Sequence, residues 1–199
     1  MRFTESTLPG VFRMEVNQFR DVRGSFFESF RVDAFEEATG VPFVPRQINY
    51  SVSRRNTLRG IHSVALPPGQ AKFVSCVRGA LRDFAVDLRV GSPTFGQYES
   101  NLLEAGSGRC VYLPEGVGHG FLALQDDSSI CYVLSTTFVP GTQINVDPLD
   151  PELAIPWGFE EPPLMSDADL SAMSLADALA GDVLARWDDV RPREPVSRR

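Results

Sequence analysis

Two side-chain types are scarce in this chain, and their scarcity marks where chemistry could occur. There are two histidines, His62 and His119, and one lysine, Lys72, against 18 arginines. All three stand in apolar, strand-like stretches rather than in polar loops. An imidazole titrates near working pH, so it can take and return a proton where a carboxylate or an ammonium cannot. A catalytic metal usually takes three protein ligands. Two histidines on different strands cannot form a three-His site, and a carboxylate-assisted site is the one metal alternative left open. The expectation is acid–base chemistry with no metal. Cys76, Cys110 and Cys131 are odd in number and form no C-x-x-C, so they read as small apolar residues of a reducing compartment.

The elements that would position these groups are mostly strands. The stretch Val11 to Phe19 alternates loosely, Asp21-Val22-Arg23-Gly24 reads as a turn, and Ser25 to Phe30 resumes. A short helix is expected over Asp33 to Ala38, with Asp33 as N-cap and Gly40 as its stop. Further strands are expected at 43–52, 57–63, 71–78, 80–89, 95–103, 109–113, 119–125 and 129–138. Many short strands separated by Pro/Gly turns imply a sandwich or barrel, and the order is not βαβ. After a Pro-rich stretch from Pro148 to Pro163, a helical pattern starts at Ser166 and carries on to about Trp187. Ser166 and Asp169 there resemble a capping box with Asp in place of Glu. Residues 1–187 read as one domain. Residues 188–199 carry no apolar period and read as a disordered tail.

The remaining composition excludes several roles. A net charge of −7 argues against a general nucleic-acid binder, which needs a basic face. No apolar run approaches the ~20 residues of a membrane span. The first residues lack a basic segment followed by an apolar core, so no signal peptide is expected and the location reads as cytoplasmic.

Pro114-Glu115-Gly116-Val117-Gly118-His119 fits P-x-G-x-x-H and resembles the second half-motif of cupin jelly rolls. The first half-motif would carry H-x-H, whereas this chain has His62-Ser63-Val64. The wider pattern resembles the dTDP-4-dehydrorhamnose 3,5-epimerase family. It runs through Phe19 to Gly24 with Phe26 and Glu28, Gln47-Ile48-Asn49, Arg59 to His62, Pro68 to Lys72, Ser92 to Gly96, Pro114 to Phe121, Tyr132 and Asp150-Pro151. The matches are colinear over roughly residues 8–170. The resemblance implies an all-β cupin jelly-roll barrel with a C-terminal helical segment. It also implies a cofactor-free isomerase acting on a dTDP-4-keto-6-deoxy sugar in deoxysugar biosynthesis.

In a 4-keto sugar the hydrogens on C3 and C5 are both α to the ketone. Inverting either carbon takes a base on one face, an enolate, and an acid on the other. By resemblance, His62 is the base, Asp169 orients it, Tyr132 is the opposing acid and Lys72 stabilises the enolate oxygen. His119 holds or polarises the sugar. Arg23, Glu28, Gln47, Asn49 and Arg59 contact the nucleotide or its pyrophosphate, arginine's fork suiting phosphate. Phe26 and Phe19 are either base-stacking rings or core. Each has a bland counterpart: a core imidazole for His62 or His119, a packed ring for Tyr132, an edge charge for Lys72, a helix cap for Asp169, surface ion pairs for Arg23 and Arg59. Family dimers exchange an N-terminal strand, so Arg23, Phe26 and Glu28 would serve a partner's site in a homodimer.

Departures from the family pattern fall at Phe138, where a tyrosine is common, at Gln143, usually acidic, and at Ala168, usually lysine. They point to altered selectivity in a relative from specialised (antibiotic) metabolism. Inversion at only C3 or only C5 of a modified sugar is one alternative, and a non-catalytic nucleotide-sugar-binding cupin is another.

Overall fold

A computed structural model describes residues 1–191. One sheet has six strands, in the order β1 (Arg2–Glu5), β2 (Phe12–Glu15), β10 (Arg109–Leu113), β7 (Lys72–Arg78), β12 (Ser128–Leu134) and β5 (Gln47–Ser53). A second has five, in the order β13 (Gln143–Asn145), β6 (Leu58–Val64), β11 (Val117–Ala123), β8 (Ala80–Asp87) and β9 (Tyr98–Glu104). The hairpin β3 (Phe19–Asp21) and β4 (Gly24–Phe26) forms a separate two-stranded sheet around the expected Val22-Arg23 turn. All pairings between these strands are antiparallel. Among the described residues the strand pairings leave the two large sheets as two, so the expected closed barrel is met only as two sheets sharing a core.

That core explains the alternation along β8. Leu81 and Ala85 point between the sheets, where they meet Val74, Val111, Val117, Phe121 and Ile130. Phe84 and Val86 point to the other face and pack against Trp157, Leu153, Leu175 and Leu184 of the C-terminal segment. The five-stranded sheet is thus covered on both sides, which is why β11 is buried at every position. The helix α1 (Val32–Thr39) sets Phe35 into a third cluster with Phe43, Phe73 and Tyr112.

The C-terminal segment crosses the five-stranded sheet as short helices, α2 (Asp167–Leu170), α3 (Leu175–Ala180) and α4 (Trp187–Val190), rather than as one continuous pattern. Ser166 caps α2 and Ser174 caps α3, each accepting a hydrogen bond from the backbone N–H three residues on. Between them Met173 leaves the helical path to bridge Val146. The far end is tied by Arg89, fully buried, which forks onto Asp87 and lies under the Trp187 ring at 4.6 Å. Removing one member of such a buried pair would strand the other charge, at a cost of about 3–5 kcal/mol. The start of the expected disordered tail is therefore ordered through α4, and residues 192–199 lie outside the described residues.

Other differences are local. The first helix begins at Val32 with Arg31 as N-cap, not at Asp33; the Asp33 carboxylate instead pairs with Arg31 and accepts from the Ala34 N–H. Gly40 does stop this helix, at a left-handed φ of 71°. Among the described residues no helix is long and apolar enough to cross a membrane.

Candidate active site

Between the two large sheets opens a cavity of about 580 Å³. Its walls carry Gln47, Asn49, Arg59, His62, Lys72, His119 and Tyr132. The five-stranded sheet supplies Arg59 and His62 from β6 and His119 from β11. The six-stranded sheet supplies Tyr132 from β12, Lys72 from β7, and Gln47 and Asn49 from β5. His62 and Tyr132 therefore address the same space from opposite walls.

Arg59 and His62 are three residues apart, and in a regular strand they would face opposite ways. The register resolves this. Against β11, Arg59 pairs with Phe121 and His62 with His119, so three steps on β6 match two on its neighbour. The extra residue is a bulge that turns both side chains inward. Gly60 permits it, with a φ of 131°, and a Cβ there would lie 2.5 Å from the Gly120 Cα.

His62 is held by Asp169, Nε2 to Oδ1 at 2.6 Å. The second oxygen of Asp169 accepts the Ser166 hydroxyl at 2.8 Å. Burial pushes the Asp169 carboxyl up, but hydrogen bonds from His62 and Ser166 outweigh it and hold the group below its ordinary range. Asp169 is thus a carboxylate, so His62 Nε2 donates to it, while His62 Nδ1 makes no hydrogen bond to the described protein. The His62 side chain is 35% exposed, so a ligand can reach it. The helix is capped by the Ser166 hydroxyl, which accepts the Asp169 N–H, while the Asp169 carboxylate itself binds His62 and the Ser166 hydroxyl and caps no backbone N–H of the helix.

Lys72 is buried, donates to the His62 carbonyl at 3.3 Å, and has no carboxylate partner among the described residues. Burial lowers its pKa to about 8, which leaves it mainly charged at neutral pH. Burial pushes the Tyr132 phenol up, so it stays protonated and can act as a donor. Its ring meets the His119 ring edge-on at 5.8 Å. Arg59 is steadied by the Ser53 hydroxyl at 3.1 Å. Gln47 donates to Asn49 at 2.8 Å and accepts from the Phe138 N–H, so the departure at Phe138 sits on the cavity rim, as does Gln143.

Three expected binding residues do not line this cavity in their own chain. Arg23 is on the β3–β4 hairpin tip, paired with Asp21. Phe26 is 67% exposed and its hairpin partner Phe19 is 65% exposed. Glu28 borders a separate surface hollow beside Arg31. One residue escaped the sequence reading altogether. Asp83, on β8, is fully buried and binds His119 Nε2 at 2.6 Å. In sequence it stands as one polar residue in an alternating strand, and nothing marks it as a partner of His119. Among the described residues no three His, Cys, Asp or Glu side chains gather as a metal would require.

Comparison with known proteins is consistent across sequence and structure. The family model described as dTDP-4-dehydrorhamnose 3,5-epimerase matches residues 5–177. The dTDP-4-dehydrorhamnose 3-epimerase of Streptomyces niveus is 50% identical over 187 residues, covering 94% of this chain and 90% of the relative. The dTDP-4-dehydrorhamnose 3,5-epimerase of Mycolicibacterium smegmatis is 44% identical over 189 residues, covering 95% and 93%. Among solved structures, NovW, a 4-keto-6-deoxy sugar epimerase from the novobiocin biosynthetic gene cluster of Streptomyces spheroides, superposes with a TM-score of 0.91 at 48% identity over 94% of both chains.

Proposed function

Because the chain belongs to the dTDP-4-dehydrorhamnose 3,5-epimerase family, we propose that its cavity carries out the family's reaction with His62 and Tyr132 as the opposed proton carriers. The protein is an isomerase that epimerises a dTDP-4-keto-6-deoxyhexose. His62 Nδ1 removes a proton α to the C4 ketone, and Asp169 stabilises the imidazolium that forms. Lys72 offsets the charge growing on the enolate oxygen. The Tyr132 hydroxyl returns a proton to the opposite face, which inverts the carbon. Gln47, Asn49, Arg59 and His119 hold the nucleotide sugar. No redox or metal step is needed, because the substrate's own ketone acidifies the carbon. The observation that carries this reading is the placement of an imidazole–carboxylate pair and a protonated phenol on facing walls of one cavity.

The carbon inverted is C3, C5 or both. The relatives include a 3-epimerase and a 3,5-epimerase, and Phe138 and Gln143 on the rim favour a site with its own selectivity. Incubation with dTDP-4-keto-6-deoxyglucose in D2O reads this directly. Deuterium is expected at C3, C5 or both, and the label pattern distinguishes double from single inversion. Tight binding with no label at either carbon would leave a non-catalytic sugar-nucleotide binder instead.

The two shared-core sheets are read as a cupin jelly roll, and the reaction as cytoplasmic, where nucleotide sugars are used. The chain is further read as a homodimer that exchanges its N-terminal hairpin. An isolated two-stranded hairpin is marginal in water, yet β3–β4 pairs with neither large sheet and exposes Phe19 and Phe26. Along the sheet edge, β5 turns Ile48, Tyr50 and Val52 outward as an exposed apolar stripe. A second copy would cover both surfaces and bring Arg23, Phe26 and Glu28 to the neighbouring cavity. Sedimentation should report twice the chain mass, and a monomer at working concentration would refute the exchange.

A further inference from the structure

The His119–Asp83 pair repeats the His62–Asp169 pair one strand away, but with a different balance. His119 and His62 are direct register partners across β11 and β6, so the two imidazoles sit side by side on one wall. Asp169 has both oxygens bonded. Asp83 has one, Oδ1 to His119 Nε2, while its buried Oδ2 has no partner among the described residues. A buried carboxylate with a single partner is costly, and the six- and five-stranded sheets gain no cross-link from it. Its one contact is with a ring that lines the cavity.

We propose that Asp83 is a positioning residue that fixes His119 in the Nε2–H form, so that its Nδ1 lone pair accepts a hydrogen bond from a hydroxyl of the bound hexose. The carboxylate accepts and the ring nitrogen facing it must donate. Nδ1 makes no hydrogen bond to the described protein, and it is the nitrogen left for a ligand. Burial pushes the His119 imidazolium down, against the pull of Asp83, and the Lys72 charge adds to the burial effect. A neutral ring with an open lone pair cannot stabilise an oxyanion. That task falls to Lys72, and His119 reads a hydroxyl beside the ketone. This inference rests on the sugar occupying the cavity as proposed above.

The chain's two histidines make the test direct. ¹⁵N-histidine labelling gives two ring spin systems, and His62→Asn assigns the remaining one to His119. The unliganded protein is expected to show His119 neutral and protonated on Nε2. Asp83→Asn, which keeps the shape but can turn an N–H toward the ring, is expected to mix or invert the tautomer. It should raise KM for the 4-keto sugar about tenfold, with kcat moving less. Loss of packing alone would reduce active enzyme and kcat while leaving KM and the tautomer in place. A wild-type ring protonated on Nδ1 overturns the inference, even if Asp83→Asn fails to fold. So does a folded Asp83→Asn protein with unchanged tautomer and KM. Either result leaves deuterium incorporation intact, whereas failure of the function itself would appear there and not in the ring spectrum.

Discussion

His62→Ala should lower solvent exchange at the carbons flanking the ketone by about 10²- to 10⁴-fold, the usual contribution of a placed general base. The ring is partly exposed and its contacts are polar, so the truncation removes chemistry more than packing. The adjacent imidazole cannot substitute. Burial disfavours the charged imidazolium that a base at His119 would form, and its free Nδ1 is assigned above to a sugar hydroxyl. Deuterium entry followed by mass spectrometry under single-turnover conditions gives the rate. A folded variant that still exchanged at the wild-type rate would remove His62 from the proton path.

Tyr132→Phe separates the two half-reactions. The ring that packs edge-on against His119 is retained and only the hydroxyl is lost. First proton removal by His62 should be little changed, while inversion slows by about 10²-fold or more, because no acid remains on the second face. Deuterium should then return to the starting sugar with its original configuration. Loss of both rates in equal measure would instead mean that Tyr132 shapes the cavity and carries no proton.

What could be read in the sequence follows the range of the interactions. The Ser166–Asp169 cap is a local pattern, and its Ser166 half is present, while the Asp169 side chain turns to the Ser166 hydroxyl and His62 instead of closing the box. The strands β7, β8 and β10 stand close to their expected bounds because turn residues flank them. The strand expected from residue 43 begins only at Gln47, after Pro45, and the one expected from 95 begins at Tyr98, because Thr94 to Gln97 complete a turn. Strands β1 and β13 are too short for alternation to show, and β13 gets its order from β6, far from it in the chain. The site shows the same division. Seven expected residues converge on the cavity wall with Asp169 behind His62. The bulge at Gly60 was invisible, since it exists only as a mismatch between two strands. Asp83 was invisible because its meaning depends on which residue lies across the next strand.

The carboxylate that tunes the base comes 107 positions after it in the chain. The residues that line the cavity have all been synthesised by Gln143. Asp169 arrives later, on a segment anchored by the Arg89–Trp187 stack. A nascent polypeptide can therefore assemble a sugar-sized hollow while its imidazole still lacks an orienting partner. On the proposed mechanism, turnover would have to wait for Asp169 and the segment that carries it.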